Sequence, residues 1–121
     1  MEAFDILKIA ANALNSKKAR ELNAVKVADL TVLAEYFLMC TATSSTHVRA
    51  LADEVEEKLS EAGAQPHHIE GKTTGWIVLD YSSVIIHVFS RDQREFYALD
   101  KMWSDGEQVE LNGILEQSEG D

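Results

Sequence analysis

Trp76-Ile77-Val78-Leu79-Asp80-Tyr81-Ser82-Ser83-Val84-Ile85-Ile86-His87-Val88-Phe89 is the stretch that decides the fold. β-Branched and aromatic residues crowd both sides of a Ser-Ser pair, the pattern of two short strands joined by a tight turn. If Ser82 and Ser83 form a two-residue loop, Tyr81 lies opposite Val84, Leu79 opposite Ile86 and Ile77 opposite Val88. Directly opposed residues share a sheet face, so this face is apolar except for one tyrosine hydroxyl. The other face sets Asp80 beside Ile85, Val78 beside His87 and Trp76 beside Phe89. Large aromatics mixed with one carboxylate and one imidazole suit a surface that something else covers.

Outward from the hairpin, residues 2–18 carry Phe4, Leu7, Ala11 and Leu14 at helical spacing, widened by Ile6, Ala10 and Ala13. Residues 23–30 alternate as a first strand, and Tyr36-Phe37-Leu38-Met39-Cys40-Thr41 is a continuous apolar run, as in a central strand buried on both faces. Thr43-Ser44-Ser45-Thr46 offers N-caps for a helix with Val48, Leu51, Ala52, Val55, Leu59 and Ala62 inward and Gly63 as its stop. A short strand at His67-His68-Ile69-Glu70 precedes a turn over residues 71–75 and the hairpin. Residues 91–103 read as a last helix with Phe96, Leu99 and Met102 or Trp103 inward, and Val109-Glu110-Leu111 shows weak strand or coil character. The order α-β-β-α-β-β-β-α predicts an α/β (α+β mixed) fold: a single-layer mixed sheet of about five strands with helices packed on it and one parallel crossover. One domain over residues 1–108 and an acidic, mobile tail over 109–121 are expected.

The 121 residues carry a net charge of −10, and residues 104–121 hold six acids and no Lys or Arg. The other 15 acids and 11 bases leave residues 1–103 at −4. Direct DNA or RNA binding rests on clustered bases, and only Lys17-Lys18-x-Arg20 comes near that. An acidic chain is steered toward basic partners. No apolar run approaches the roughly 20 residues of a membrane span. The acidic start Met1-Glu2-Ala3-Phe4-Asp5 does not read as a targeting signal, and the single Cys40 suits a reducing compartment, so a cytoplasmic location is expected.

Reactive groups do not converge. His67-His68 is an adjacent pair whose side chains alternate across a strand, poor geometry for a shared metal. Cys40 falls inside the apolar run, where an inert buried thiol is the default. The Thr41–Ser45 stretch leads into a helix N-terminus, where anions can bind, but it lacks a glycine-rich phosphate loop and reads as a helix cap. Nothing assembles nucleophile, base and orienting group, so neither catalytic residues nor a cofactor are expected. The mixed hairpin face remains, as a second apolar layer under the chain's own helices or as a contact surface. Burying Asp80 and His87 requires dedicated partners, and Trp, Tyr and Phe beside a few polar groups match interface composition.

Ile69-Glu70-Gly71, Gly75 through Tyr81 and Val84 through Phe89 resemble the ribosomal silencing factor (Iojap-like) family. So do Lys17-Lys18-Ala19, Tyr36-Phe37-Leu38-x-Cys40 and Arg94-Glu95-Phe96-Tyr97-x-Leu99-Asp100-x-x-Trp103, a match spanning residues 17–108. The resemblance implies a nucleotidyltransferase-like fold and a homodimer. It implies a protein that binds the large ribosomal subunit through ribosomal protein number fourteen, blocks joining of the small subunit and lowers translation when nutrients are scarce. The expected partner contacts are Trp76, Asp80, Tyr81, His87, Phe89, Arg94, Tyr97 and Trp103. Departures are Ala34-Glu35, Ala42 in place of a usual Gly, and Ser82-Ser83 in place of a usual Gly-Asp. Nucleotidyltransferase catalysis needs a Gly-Ser pair and metal-binding carboxylates, and Thr41-Ala42-Thr43-Ser44 supplies neither. An enzyme using nucleotide and magnesium, and a dimeric scaffold with unrelated partners, stand as the alternatives.

Overall fold

The computed structural model describes residues 1–28, 34–71, 75–91 and 106–115. Two helices, α1 (Ala3–Ser16) and α2 (Ser45–Glu61), accompany six strands: β1 (Arg20–Lys26), β2 (Tyr36–Ala42), β3 (His68–Glu70), β4 (Trp76–Asp80), β5 (Val84–Ser90) and β6 (Glu107–Gln108). They form one mixed sheet in the order β3-β4-β5-β2-β1-β6. The α/β class is as expected, with six strands where about five were read. The helix read over residues 91–103 lies outside the described residues except for Arg91, as does the end of the first strand beyond Ala28.

The hairpin has the register that its composition dictates. Trp76 pairs with Phe89, Ile77 with Val88, Val78 with His87, Leu79 with Ile86 and Asp80 with Ile85. Tyr81 N–H donates to Val84 O at 3.0 Å and closes the loop. Ser82 sits at φ 67°, a conformation that suits glycine, and its amide donates to Asp80 Oδ1 at 2.8 Å.

The expected parallel crossover joins β2 to β5. β2 pairs in parallel with β5, from Tyr36 against Val84 to Ala42 against Ser90. The chain leaves β2, passes along α2 and enters β3 at the sheet edge; the β4–β5 hairpin then fills the space between. The apolar run of β2 follows from that central place, because a strand covered on both faces has no polar side. Leu38, Cys40 and Ala42 join the larger core with Ile77, Leu79, Val84, Ile86 and Val88, under α1 and α2. Phe37 and Met39 join a second cluster with Val25, Val27, Ala34 and Phe89.

Helix α1 buries Ala3, Leu7, Ala10 and Leu14, flanked by Ile6, Ala11 and Ala13, so the buried arc begins at Ala3. Phe4, expected in the stripe, is 46% exposed. Both helices end in the same way. After α2, Gly63 lies at φ 95°, with Gly63 N–H to Ser60 O at 3.0 Å and Ala64 N–H to Leu59 O at 2.8 Å. After α1, Lys18 takes the left-handed position at φ 64°, with Lys18 N–H to Asn15 O and Ala19 N–H to Leu14 O, both at 3.0 Å. This is the helix-ending motif that glycine normally completes, carried here by lysine.

Residues 109–115, expected to open a mobile tail, follow a short strand and pack on the fold. β6 pairs with β1 through Val25–Gln108 and Lys26–Glu107, and Val109 N–H reaches Ala24 O at 2.9 Å. Val109, Leu111 and Leu115 pack against the core, and Asn12 Nδ2 donates to Ile114 O at 3.2 Å. Three apolar residues among the acids are enough to hold residues 109–115 down.

Glycine at either left-handed position relieves side-chain strain while adding freedom to the unfolded chain. Lys18→Gly and Ser82→Gly are expected to gain a few tenths to about 1 kcal/mol, and Ser82→Val to lose more than about 1 kcal/mol, in urea unfolding.

Candidate functional site

The face of the sheet opposite α1 and α2 changes character across its width. Phe37, Met39 and Phe89 are buried, with Phe89 fully so. Toward the β3 edge, Trp76, Val78, Asp80 and Ile85 are each half-buried, and His68 and Glu70 on β3 are exposed. Pairing of His68 with Asp80 and of Glu70 with Val78 puts all six on one side of the sheet. Val78 and Ile85 thus lie among Asp80, Glu70 and His68, whose Nε2 meets Glu70 Oε1 at 2.8 Å.

Trp76 is braced from below. Its ring stacks on Phe89 at 5.1 Å between centroids and tilts over His87 at 5.9 Å. His87 lies parallel to Phe89 at 5.8 Å and tilted against Phe37 at 5.1 Å. Trp76 Nε1–H donates to His87 Nδ1 at 3.2 Å. An indole nitrogen only donates, so Nδ1 is the acceptor and neutral His87 carries its proton on Nε2. Nε2 is buried and has no hydrogen-bond partner among the described residues. Burial pushes the imidazole down to about 4 from its ordinary 6.5, because a charged ring there would lose its water.

The expected contact residues therefore divide. Trp76 and Asp80 reach the surface. Phe89 and His87 lie beneath it, as packing and hydrogen-bond support for the indole. Tyr81 lies on the other face, as its pairing opposite Val84 predicts, below α2. It is 6% exposed there, with a buried hydroxyl that has no partner among the described residues. Burial first, and the Glu56 carboxylate second, push that phenol up to about 12. Arg94, Tyr97 and Trp103 lie outside the described residues.

Other candidate chemistry stays dispersed. Cys40 is buried in the core. No group of three His, Cys, Asp or Glu among the described residues could hold a metal ion. Ser44 caps α2, its Oγ accepting from His47 N–H at 3.0 Å. His47 Nδ1 in turn accepts from Thr43 N–H at 2.9 Å, while Nε2 lies 2.8 Å from Lys17 O and ties this corner to the end of α1. No described helix is long and apolar enough to cross a membrane.

Two features of this region escaped sequence reasoning. The burial of His87 follows from β5 lying centrally between β4 and β2, which only the crossover reveals. A cavity of about 510 Å³ opens at the carboxyl ends of β2 and β5, lined by Arg20, Thr41, Ala42, Thr43, Ser44, Ser45, Gly75, Ser90 and Arg91. Among the described residues no carboxylate lines it.

His87 makes stability depend on pH. Its folded-state value lies below the unfolded one, so the unfolded chain takes up the proton first as pH falls. The neutral form's contribution is complete above pH 6.5 and is lost between there and about 4, on the order of 3 kcal/mol. His87→Phe is expected to flatten that part of the profile in urea titrations from pH 7 to 4.

Comparison with known proteins agrees with this architecture. A sequence-family profile described as "Ribosomal silencing factor during starvation" matches residues 1–121. The ribosomal silencing factor of Bacillus subtilis is 35% identical over 118 residues, covering 97% of this chain and 100% of that protein. That of Halalkalibacterium halodurans is 34% identical over 116 residues, covering 95% and 99%. A crystal structure of a Chromobacterium violaceum protein superposes with a TM-score of 0.83 at 29% identity, covering 100% of this chain and 94% of that one. A profile that matches from end to end, relatives of nearly equal length and a shared sheet all point one way: the chain belongs to the ribosomal silencing factor family.

Proposed function

We propose that this protein silences translation by binding the large ribosomal subunit at the surface where the small subunit docks. The half-buried face of β4 and β5 is its contact surface, and ribosomal protein number fourteen is its partner. The observation that carries this reading is Trp76, held at the surface by Phe89 stacking and the His87 hydrogen bond, with Asp80 two positions along the same strand face. A braced indole loses little freedom on docking, and large aromatics of this kind dominate interface energetics. Asp80 and Glu70 give the surface the acidity that a basic ribosomal protein favours, and the net charge of −10 steers the encounter. The action is steric: a bound silencing factor occupies the joining surface. Family membership supports the ribosomal role.

Co-sedimentation with purified large subunits tests the placement. Trp76→Ala is expected to weaken binding by about 2 kcal/mol or more, roughly thirtyfold, and to restore joining when small subunits are added. Asp80→Lys should weaken it further at low salt than at high salt, since its contribution is electrostatic. Wild-type affinity in a normally folded Trp76→Ala protein would place the interface elsewhere.

A further inference from the structure

We propose that Lys17, Lys18 and Arg20 form a second contact on the large ribosomal subunit, made to the phosphate backbone of its RNA. The inference rests on the ribosomal reading above and adds to it a partner of opposite charge. Three bases within four consecutive residues are a local reversal in a chain with 21 acids and 11 bases. All three are exposed, and none forms an ion pair among the described residues. Lysines suit the C-terminus of α1, where they face the negative end of the helix dipole. Two features of the backbone go beyond that explanation.

The first is the pairing of β1. A ladder running on regularly from Asn23–Met39 would set Glu21 opposite Thr41. The strand holds one extra residue between Arg20 and Asn23, with Glu21 at φ 50°, so Arg20 stands opposite Thr41 instead. Bulges of this kind re-aim a side chain, and here an arginine takes the place of an acid. Thr41 in turn pairs with Phe89, and Phe89 with Trp76. Directly opposed residues share a face, so Arg20 lies in the cross-strand row of Trp76, on the same side of the sheet. Three strand spacings separate the two, roughly 14 Å. The second feature is Lys18, at φ 64° in the helix-ending motif. A lysine stands where glycine would be free of strain, and its side chain stays in solvent. The corner is stiff, because Ala19 N–H closes on Leu14 O at 3.0 Å and His47 Nε2 lies 2.8 Å from Lys17 O. The sheet thus carries acids, Asp80 and Glu70, toward its β3 edge and this basic corner beyond β2. Ribosomal proteins are basic, so the anion that such a corner meets on a ribosome is RNA phosphate. Lysine and arginine contacts to phosphate position a protein without reading sequence.

The test uses the full chain and purified large subunits. In Lys18→Cys the new thiol carries a photoactivatable cross-linker, which the buried Cys40 does not take up. Irradiation of the bound protein is expected to give a conjugate that ribonuclease degrades. At ~50 mM salt, Lys18→Gly should lose about threefold in large-subunit affinity and the Lys17→Ala/Arg20→Ala pair about tenfold, with the salt slope smaller by about 1 for each base removed. Thermal melts accompany each variant. Lys18→Gly should melt no lower than the parent, so its lost affinity is not lost folding, whereas a lysine serving only the helix end would leave affinity unchanged. Lys8→Ala, on the exposed side of α1, should change affinity by less than about twofold. A conjugate with ribosomal protein alone, no conjugate from a bound complex, unchanged affinity in both variants or an equal loss in Lys8→Ala would overturn this contact and leave that of Trp76 standing. Wild-type protein that does not co-sediment with large subunits would overturn the ribosomal reading, and this contact with it.

Discussion

Seven residues of β2 pair in parallel with seven of β5, and the rest of the molecule is arranged around that ladder. A parallel pair requires a long crossover, and α2 with the β3 edge strand supplies it. Both strands become buried on two faces, which explains why β2 has no polar alternation and why His87 and Phe89 on β5 lie under cover. The same ladder brings two strand ends and the start of α2 to one rim. Core, aromatic support and cavity are consequences of one pairing choice.

The two faces of the sheet hold their polar groups differently. On the helix side, Tyr81 accepts burial of its hydroxyl beside the core. On the other side, His87 spends one nitrogen on Trp76 and leaves the other without a partner among the described residues. Unsatisfied buried groups of this kind each oppose folding by about 1–3 kcal/mol. His87 offsets part of this by fixing the indole in place. This face thereby trades stability for a pre-organised aromatic at the surface.

Much of this was legible beforehand because it is local. The hairpin register follows from period-two alternation on both sides of Ser82-Ser83, and the ends of α2 follow from Ser44 and Gly63. What alternation could not supply was depth. Trp76 and Phe89 look alike in sequence and share a face, yet only Phe89 is fully buried, since β5 is central and β4 lies next to the edge strand. Arg20 read as part of a weak basic cluster, because its place beside Arg91 depends on a register shift and a non-local pairing. Residues 109–115 read as tail because three spaced apolar residues give no periodicity, and β6 is only two residues long. The motifs that carry the family resemblance were sufficient for kinship, while the division of labour among their residues required coordinates.

The sheet also ends quickly on both sides. β3 is three residues long and β6 two, and their exposed residues include Glu70 and Glu107. A strand edge is a template on which another chain can continue the sheet, and short acidic margins offer little to template. Continuation by a second acidic copy would form only a few hydrogen bonds against like-charge repulsion. Among the described strands, both margins are thus poor templates for stacking edge to edge into larger assemblies.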